Sequence, residues 1–355
     1  MSAARVTVIG AGAVGLMCAL RLAERGAAVT VIETLSEDAM RAIANGSLAA
    51  AGMLAPIVET LAAPDPDPDF AAAALDSFAL WRAHADAAPW ASSVRFEGGT
   101  YAAADPAEQF AFLAAAQALG ADARPVETRW ARCGVALSAE GALDPRSAHE
   151  GLIAAARAAG VRFVFGEMFD PRRQRGADVI VAAPGGARCA ALKPLAPALA
   201  FIRPAKGHVA LVVAPEAPHG NVHADGLYLC PRGGGALALG ATMQFDRADT
   251  AVDHALVEEM HRAANAAFGG SLALTMRAWA GVRAMAPDWA PLIGPSGRDG
   301  VLVACGHSRN GWLLAPITAE IICAHVFGEA LSPAWAPFRP DRFQTKEVKA
   351  HDARH

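Results

Sequence analysis

The chain has 355 residues, of which 54% are hydrophobic and 19% are charged. A single hydrophobic core rarely grows beyond about 250–300 residues, so this length predicts two domains. The formal net charge of −4 and the pI near 6.3 give no basic face of the kind that nucleic-acid binding needs. No apolar stretch reaches the roughly 18–20 residues of a membrane span without an interrupting glycine or proline. We therefore expect no nucleic-acid partner and no membrane span.

The six cysteines are spread along the chain, and no two of them have C-x-x-C spacing. Most lie in apolar surroundings, which is typical of small core residues rather than disulfide partners. This pattern favours a reducing, cytoplasmic location. The histidines show no convincing metal-ligand spacing, so no metal ion is expected.

The N-terminal segment has the pattern of a strand, a helix and a second strand. Residues 5–10 are β-branched and bounded by glycine, which predicts a buried parallel strand. Helical periodicity follows over residues 14–25 and stops at Gly26, and residues 28–33 predict the next strand. This order is the beginning of a βαβ unit.

Further helices and then strands are predicted up to about residue 200. Proline and aspartate alternate over residues 63–70, which predicts a solvated loop with a helix after it. Asp144 and Pro145 have the residue types of an N-cap and first helical position. The pattern predicts helices over 107–119 and 145–159, strands over 161–165 and 179–183, and a tight turn at Pro184-Gly185-Gly186.

The pattern changes after residue 205 and returns near residue 300. Two short strands, 227–230 and 236–239, flank three glycines and predict a hairpin. A strand over 209–213 and a helix over 253–268 complete an α+β region, and a buried strand over 300–305 and a helix over 316–327 follow it. The order predicts a discontinuous nucleotide-binding domain into which a second domain is inserted.

Residues 10–15, with the sequence G-A-G-A-V-G, fit the pattern G-x-G-x-x-G between a predicted strand and a predicted helix. Gly10 permits the tight turn, Gly12 lets the backbone approach a pyrophosphate, and Gly15 lets helix and strand pack closely. Amides at the helix start, including those of Ala13 and Val14, hold a diphosphate. The loop therefore predicts a dinucleotide site.

The acidic residue expected in such a site is Glu33, at the end of the second predicted strand and followed by Thr34. A carboxylate here binds the ribose hydroxyls and repels a ribose 2′-phosphate. Glu33 does not distinguish NAD from FAD, so both remain alternatives on this evidence.

Three further blocks resemble a known family. The block SLAAAGMLAP at 47–56 resembles the second FAD loop of glycine oxidase, and LYLCPR at 227–232 with GATM at 240–243 resembles its substrate-domain hairpin. The C-terminal block, WAGVR at 279–283 with GHSRNGWLLAP at 306–316, is the most specific. In motif order, from residue 5 to about residue 343, the chain resembles the D-amino-acid-oxidase superfamily, closest to the glycine oxidases of thiamine biosynthesis.

The resemblance implies an α/β fold. Its discontinuous Rossmann-like FAD-binding domain carries an inserted α+β substrate domain built on a mostly antiparallel sheet. The FAD-binding domain is expected to comprise residues 1–85, 141–200 and 278–343. The substrate domain is expected to comprise residues 86–140 and 201–277, and residues 344–355 form a charged tail that we expect to be partly disordered.

The resemblance also implies that the dinucleotide is non-covalently bound FAD. Small side chains over 46–53 would let a backbone lie flat against a planar ring. A helix predicted to begin near 310–313 would stabilise negative charge on the reduced flavin. Besides the glycine loop, Glu33 and Thr34, the implied FAD-binding residues are Ser47, Ala51, Gly52, Met53, Met168, His307, Asn310, Gly311, Trp312 and Leu313.

Arg283 is the residue on which substrate binding is predicted to depend. It lies in an apolar setting, where a guanidinium needs a partner. The residues alone leave open a structural ion pair and a bidentate bond to a substrate carboxylate. The resemblance favours the carboxylate, and it places Arg309, Tyr228 and Met243 in the same substrate site.

The implied reaction is oxidation of glycine, sarcosine or a small D-amino acid by hydride transfer to flavin N5, with oxygen as acceptor and hydrogen peroxide as product. A dehydrogenase that passes electrons to a quinone or carrier is the alternative. A tRNA-modifying flavoprotein and a non-catalytic binding module are less favoured. Two positions depart from the family: Ala284 replaces a proline and Gly226 replaces a histidine. The oligomeric state is left open, a homo-oligomer included.

Overall fold

The computed structural model describes residues 3–41, 45–172, 176–270 and 272–343. Its strands are β1 Arg5–Ile9, β2 Ala28–Glu33, β3 Met53–Leu54, β4 Val94–Arg95, β5 Gly99–Ala103, β6 Ala123–Thr128, β7 Ala131–Leu137, β8 Gly141–Leu143, β9 Arg162–Phe165, β10 Val179–Ala182, β11 Arg203–Val213, β12 Asn221–Ala224, β13 Leu227–Gly233, β14 Ala236–Gly240, β15 Gln244–Phe245, β16 Ala273–Met285, β17 Leu292–Arg298 and β18 Val301–Cys305. Its α-helices are α1 Ala13–Glu24, α2 Glu37–Arg41, α3 Gly46–Ala49, α4 Pro56–Leu61, α5 Pro68–Ala87, α6 Pro106–Ala118, α7 Pro145–Ala158, α8 Gly185–Leu192, α9 His254–Ala267 and α10 Ala315–Phe327. Short 3-10 helices span Pro89–Ala91, Pro197–Phe201, Pro333–Phe338 and Pro340–Phe343.

One sheet has six strands in the order β17-β18-β10-β1-β2-β9. Its strands run parallel except β17, which pairs antiparallel with β18 at the edge. Val6 and Val8 of β1 are 2% and 0% exposed, as expected for a central parallel strand covered on both faces. The first βαβ unit is therefore confirmed, and its glycine loop lies at the carboxyl end of β1.

The second sheet has nine strands. The order is β15-β11-β14-β13-β12-β5-β7-β6, and β16 pairs with the other edge of β11. Among the described residues its strand pairs are antiparallel, except that of β5 with β12. Leucines of β13 and β14 pack against Val257 and Met260 of α9 to form its core. The two sheets confirm the predicted fold class, and a small third sheet joins β3, β8 and β4.

The predicted domain limits remain a prediction. Strands from 86–140 and from 201–277 share the nine-stranded sheet, but β16 crosses the limit predicted after residue 277. The predicted tail, 344–355, lies outside the described residues. Just before it, Arg342 binds the Asp288 carboxylate through Nε and Nη2, at 2.8 and 2.9 Å. Residues 340–343 are thereby attached to the turn that follows β16.

Two local predictions, at Pro68 and at Gly185, are wrong. The loop predicted over 63–70 ends early, because Asp67 accepts a hydrogen bond from the amide of Asp69 and caps α5, whose first residue is Pro68. The tight turn predicted at Pro184-Gly185-Gly186 is the start of α8. A Cβ on Gly186 would lie 2.3 Å from the carbonyl oxygen of Arg283, so glycine lets α8 begin directly against β16.

The small-residue segment predicted as a loop over 46–53 contains α3 and β3. The Asn45 side chain caps α3 by accepting from the amide of Leu48 at 2.9 Å. A Cβ on Gly281 of β16 would lie 2.5 Å from the Cβ of Ala49, and one on Gly52 would lie 2.1 Å from the carbonyl oxygen of residue 143. The small residues therefore serve close packing against β16 and β8. Among the described helices, none is long and apolar enough to cross a membrane.

Candidate functional site

A long cleft separates the two large sheets. It contains about 1490 Å³ of empty space, counting the part that is open to solvent. The glycine loop, α3, the start of α8, the C-terminal end of β16 and the segment 304–312 line it.

The glycine loop closes one end of the cleft. Gly10 has φ +108°, and a Cβ on it would lie 2.3 Å from the carbonyl oxygen of Ala183. A Cβ on Gly15 would lie 2.1 Å from the carbonyl oxygen of Gly10, whereas one on Gly12 would meet only the Ser47 hydroxyl, at 3.1 Å. Gly10 and Gly15 permit close packing, and Gly12 leaves open the space in front of the α1 N-terminus. Ala13 and Val14 also line this end.

Glu33 lies beside the loop with its carboxylate held by backbone groups. One oxygen accepts from the Ala11 amide at 3.0 Å, and the other accepts from the Leu35 amide at 2.9 Å and the Thr34 hydroxyl at 3.0 Å. A carboxylate has about four acceptor positions, so about one remains for a ribose hydroxyl. Arg188 of α8, which sequence analysis missed, lies 3.6 Å from the same carboxylate. Thr34 acts through Glu33 and is not part of the cleft wall.

The end of the cleft opposite the glycine loop is lined by Tyr228, Arg283 and Arg309, and we call it the inner end. The α3 segment connects the glycine loop to this inner end. The Ser47 hydroxyl accepts from the Ala13 amide at 2.9 Å, and its carbonyl accepts from Trp312 Nε1 at 2.9 Å. Ala51, Gly52 and Met53 follow along the cleft wall. This predicted block therefore lies between the glycine loop and the C-terminal block.

Met168 is a predicted residue that does not line the cleft, and the same holds for Thr34, Met243, Asn310 and Leu313. It lies just after β9, and its side chain is 68% exposed. Its neighbour Glu167 donates its amide to the carbonyl of Glu33 at 3.2 Å. A backbone contact between this segment and the adenine end of FAD remains a prediction.

The turn over 308–314 presents free backbone amides at the inner end. The carbonyls of Trp312 and Leu313 accept from Trp81 Nε1 at 2.8 Å and from the Ser77 hydroxyl at 2.6 Å. No described residue accepts a hydrogen bond from the amides of Gly311, Trp312 or Leu313. Free amides next to a cleft stabilise negative charge on a bound group.

The helix predicted to begin near 310 begins later, at Ala315. Asn310 instead forms a turn, in which its amide donates to the carbonyl of His307 and its carbonyl accepts from Leu314, both at 2.8 Å. Burial lowers the pKa of His307 to about 3. The Thr318 hydroxyl donates to Leu314 O at 2.7 Å, so His307 Nε2, 2.9 Å from that hydroxyl, is the donor. His307 is a neutral imidazole.

Arg283 projects from β16 at the inner end. Its guanidinium donates to the carbonyl of Thr242 at 3.1 Å and lies 3.8 Å from Met243 Sδ. It lies against the backbone of Gly207, where a Cβ would be 2.0 Å from Nη1. Burial lowers the pKa of Arg283, and no carboxylate among the described residues forms an ion pair with it. The structural ion pair left open by the sequence is not found.

Tyr228 lies near Arg283 at the same inner end of the cleft. Its ring packs on Gly240 of β14, where a Cβ would lie 2.3 Å from the hydroxyl oxygen. Burial raises the pKa of Tyr228 to about 12, so the hydroxyl stays protonated and can donate a hydrogen bond. The positive charge of Arg283 opposes this shift.

Arg309 is paired with a carboxylate that sequence analysis missed. Its Nε donates to Glu59 of α4 at 2.9 Å, and its Cζ lies 5.5 Å from the ring centroid of Trp289. Glu59 is 6% exposed, and Glu59 and Arg309 both line the cleft. The available signal was an acidic residue on a short apolar helix directly after the small-residue block.

Gly207 and Thr250 are further cleft residues that sequence analysis missed. Thr250 belongs to a loop before α9 that is held by an ion pair between Lys206 Nζ and Asp249 at 2.5 Å. Neither has a local signal, because both depend on how distant segments meet. Among the described residues, no three acidic, histidine or cysteine side chains form a group able to hold a metal ion.

A sequence model of the FAD dependent oxidoreductase family, named DAO, matches residues 5–325. The chain belongs to this family. The resemblance inferred from the three blocks is thereby confirmed, and so is FAD as the cofactor. The role of the glycine loop and Glu33 as an anchor for one end of FAD remains a prediction.

Individual relatives are more distant. Glycine oxidase of Geobacillus kaustophilus is 31% identical over 202 residues, which cover 52% of this chain and 53% of that protein. The hydrogen cyanide synthase subunit HcnC of Pseudomonas protegens is 30% identical over 151 residues, covering 42% and 36%. The matched segments thus span about a third to a half of these curated relatives. The crystal structure of the Geobacillus enzyme superposes with a TM-score of 0.80 at 25% identity, covering 96% of this chain and 99% of that chain.

The residues present fit FAD. The space in front of Gly12 suits a pyrophosphate, and the open acceptor position of Glu33 suits a ribose hydroxyl. The free amides of residues 311–313 suit the electron-rich end of a flavin ring. These features lie along one continuous cleft.

Proposed function

We propose that this protein oxidises a small amine that carries a carboxylate, such as glycine, sarcosine or a small D-amino acid, to the imine, which hydrolyses to the oxo acid. The observation that carries the proposal is Arg283, a part-buried guanidinium on the wall of the cleft that pairs with no carboxylate among the described residues. When bound, FAD supplies the hydride acceptor that oxidation of a C–H bond next to an amine requires.

Different residues at the inner end contribute separate hydrogen bonds to the substrate. Arg283 presents a planar pair of donors to the substrate carboxylate, and the Thr242 carbonyl and Gly207 backbone fix the plane of its guanidinium. The hydroxyl of Tyr228 stays protonated, since its pKa is raised, and it donates a further hydrogen bond to the substrate. Fixing the carboxylate at one end orients the substrate C–H bond, and orientation can supply most of the rate.

The electron acceptor, the mode of FAD binding and the role of the product belong to the same proposal. Oxygen is the electron acceptor and hydrogen peroxide the product, FAD is held non-covalently, and the product serves thiamine biosynthesis. The cytoplasmic location rests on the six cysteines, all of which are free thiols. An oxygen-electrode trace with glycine checks the acceptor: oxygen consumption supports an oxidase, whereas flavin reduction without oxygen consumption favours a dehydrogenase.

The central test is Arg283→Ala. One charge-assisted bond to a carboxylate contributes about tenfold or more to binding, so the KM for glycine should rise by at least about tenfold. FAD should stay bound, because the Arg283 side chain contacts Thr242, Met243 and Gly207 and not the glycine loop. An unchanged KM in this variant, or a failure of glycine, sarcosine and D-alanine all to bleach the flavin of the unmodified protein without oxygen, contradicts the proposal.

A further inference from the structure

The inner end of the cleft holds three charged side chains. Among the described residues lining the cleft, the other charged groups, Glu33 and Arg188, lie at the ribose end. The three inner groups are Arg283, Arg309 and Glu59, which carry two positive charges and one negative charge. How those charges pair determines which substrate charge the site can accept.

Glu59 and Arg309 form a closed pair. Their contact is 2.9 Å long, and the Arg309 guanidinium is covered by the Trp289 ring on one side. Glu59 is almost fully buried, so separating the pair would leave an uncompensated buried charge. The pair lies near Arg283: Glu59 raises the pKa of Arg283, while Arg309 lowers it, both less strongly than burial does.

We propose that Glu59 sets the charge of the substrate. By neutralising Arg309, it leaves Arg283 as the uncompensated cation of the inner end, so the site accepts an amine with one carboxylate and rejects one with two. A second carboxylate would have to displace Glu59 from Arg309 or lie beside it, and like charges repel strongly where water is excluded. This inference rests on the proposed function and names its substrate class.

Two non-reacting anions test the charge rule in the FAD-loaded protein. Methoxyacetate and diglycolate are the ether analogues of sarcosine and iminodiacetate, and they differ by one carboxylate. Their Kd values are measured from the change in flavin absorbance. The unmodified protein should bind methoxyacetate more tightly. Glu59→Gln should shift the ratio of Kd values towards diglycolate by about tenfold, as one newly available charged partner would.

Glu59→Asp is the matched control, because it keeps the charge and should keep the preference for methoxyacetate. The corresponding kinetic result is a gain in kcat/KM for iminodiacetate relative to sarcosine in Glu59→Gln. An unchanged ratio of Kd values in Glu59→Gln overturns the inference. So does a shift of the same size in Glu59→Asp, because the effect would then follow from altered packing.

A second variant keeps the inference testable if Glu59→Gln does not fold. Arg309→Met leaves the Glu59 charge uncompensated, so methoxyacetate should bind about tenfold more weakly although Arg283 is intact. Combining it with Glu59→Gln should restore methoxyacetate binding without the gain for diglycolate. Unchanged methoxyacetate binding in Arg309→Met overturns the inference. Failure of glycine and sarcosine to reduce the flavin of the unmodified protein instead contradicts the proposed function.

Discussion

Two predicted site residues at the inner end each lie on a glycine. Arg283 packs on Gly207 and Tyr228 packs on Gly240, and in both places a Cβ would come within 2.3 Å of a polar atom of the side chain. Neither glycine has a positive φ, so the requirement comes from space rather than from backbone conformation. These glycines allow long polar side chains to lie flat on the sheet and point into the cleft.

At this scale we expect Gly207→Ala to impair substrate binding selectively. The added methyl would displace the guanidinium of Arg283, so the KM for glycine should rise by about tenfold or more, as for loss of a charge-assisted bond. FAD binding should be retained. Val213→Ala, at a position on the same strand that is 40% exposed, is the control and should leave KM unchanged. Equal KM values in the two variants would show that Arg283 does not need this glycine.

At the scale of elements, β11 organises the substrate side of the cleft. It pairs with β14 and β15 along one edge and with β16 along the other, so it determines where Arg283 meets Thr242. It also supplies Lys206, a residue only 1% exposed, whose ammonium holds Asp249 in the loop before α9. That loop brings Thr250 to the cleft. The hydrogen bond from Lys206 is the main reason that the pKa of Asp249 is lowered.

We expect Lys206→Met to loosen this loop. Substrate affinity should fall because Thr250 loses its fixed position, and the KM for glycine should rise by about fivefold while kcat changes less. Arg247→Met is a matched control, since Arg247 contacts the same carboxylate from an exposed position. Exposed pairs contribute little, so its KM should stay close to that of the unmodified protein. A larger effect in Arg247→Met than in Lys206→Met would contradict the role of Lys206.

At the scale of the whole molecule, the predicted cofactor anchor and the proposed substrate site lie at opposite ends of one cleft. The six-stranded sheet presents the glycine loop and Glu33, and the nine-stranded sheet presents Arg283 and Tyr228. The segments 46–53 and 304–312 lie along the cleft and connect the two ends. A change at the ribose end should therefore alter cofactor affinity without altering substrate recognition.

Glu33→Ala tests this separation. Loss of a charged acceptor for the ribose should weaken FAD binding by about tenfold or more, measured by titration of the apoprotein with FAD. The melting temperature should also rise less at a given FAD concentration, because a ligand that binds the folded state stabilises it by mass action and this variant binds FAD more weakly. At saturating FAD the KM for glycine should be unchanged. A raised KM under these conditions would show that the two ends are coupled.

The sequence by itself determined what depends on local patterns. The glycine loop, Glu33 and the first βαβ unit follow from residue types within about thirty positions, because a tight turn, a helix start and a buried strand each have short-range requirements. The hairpin around residues 233–235 and the cap at Asp144 are likewise local. The helix starts at Pro68 and Gly185 were missed, since proline and glycine fit both turns and first helical positions.

Only the tertiary structure decided how the inner end is charged. Glu59 and Arg309 are 250 positions apart, and Arg283 and Thr242 are 41 apart, so no local pattern could show that one arginine is paired with a carboxylate and the other is not. The same holds for Gly207, which lies under Arg283 because of the register between β11 and β16. The physical reason is that burial and pairing of a charge depend on every segment around it, whereas a glycine turn depends on its own backbone.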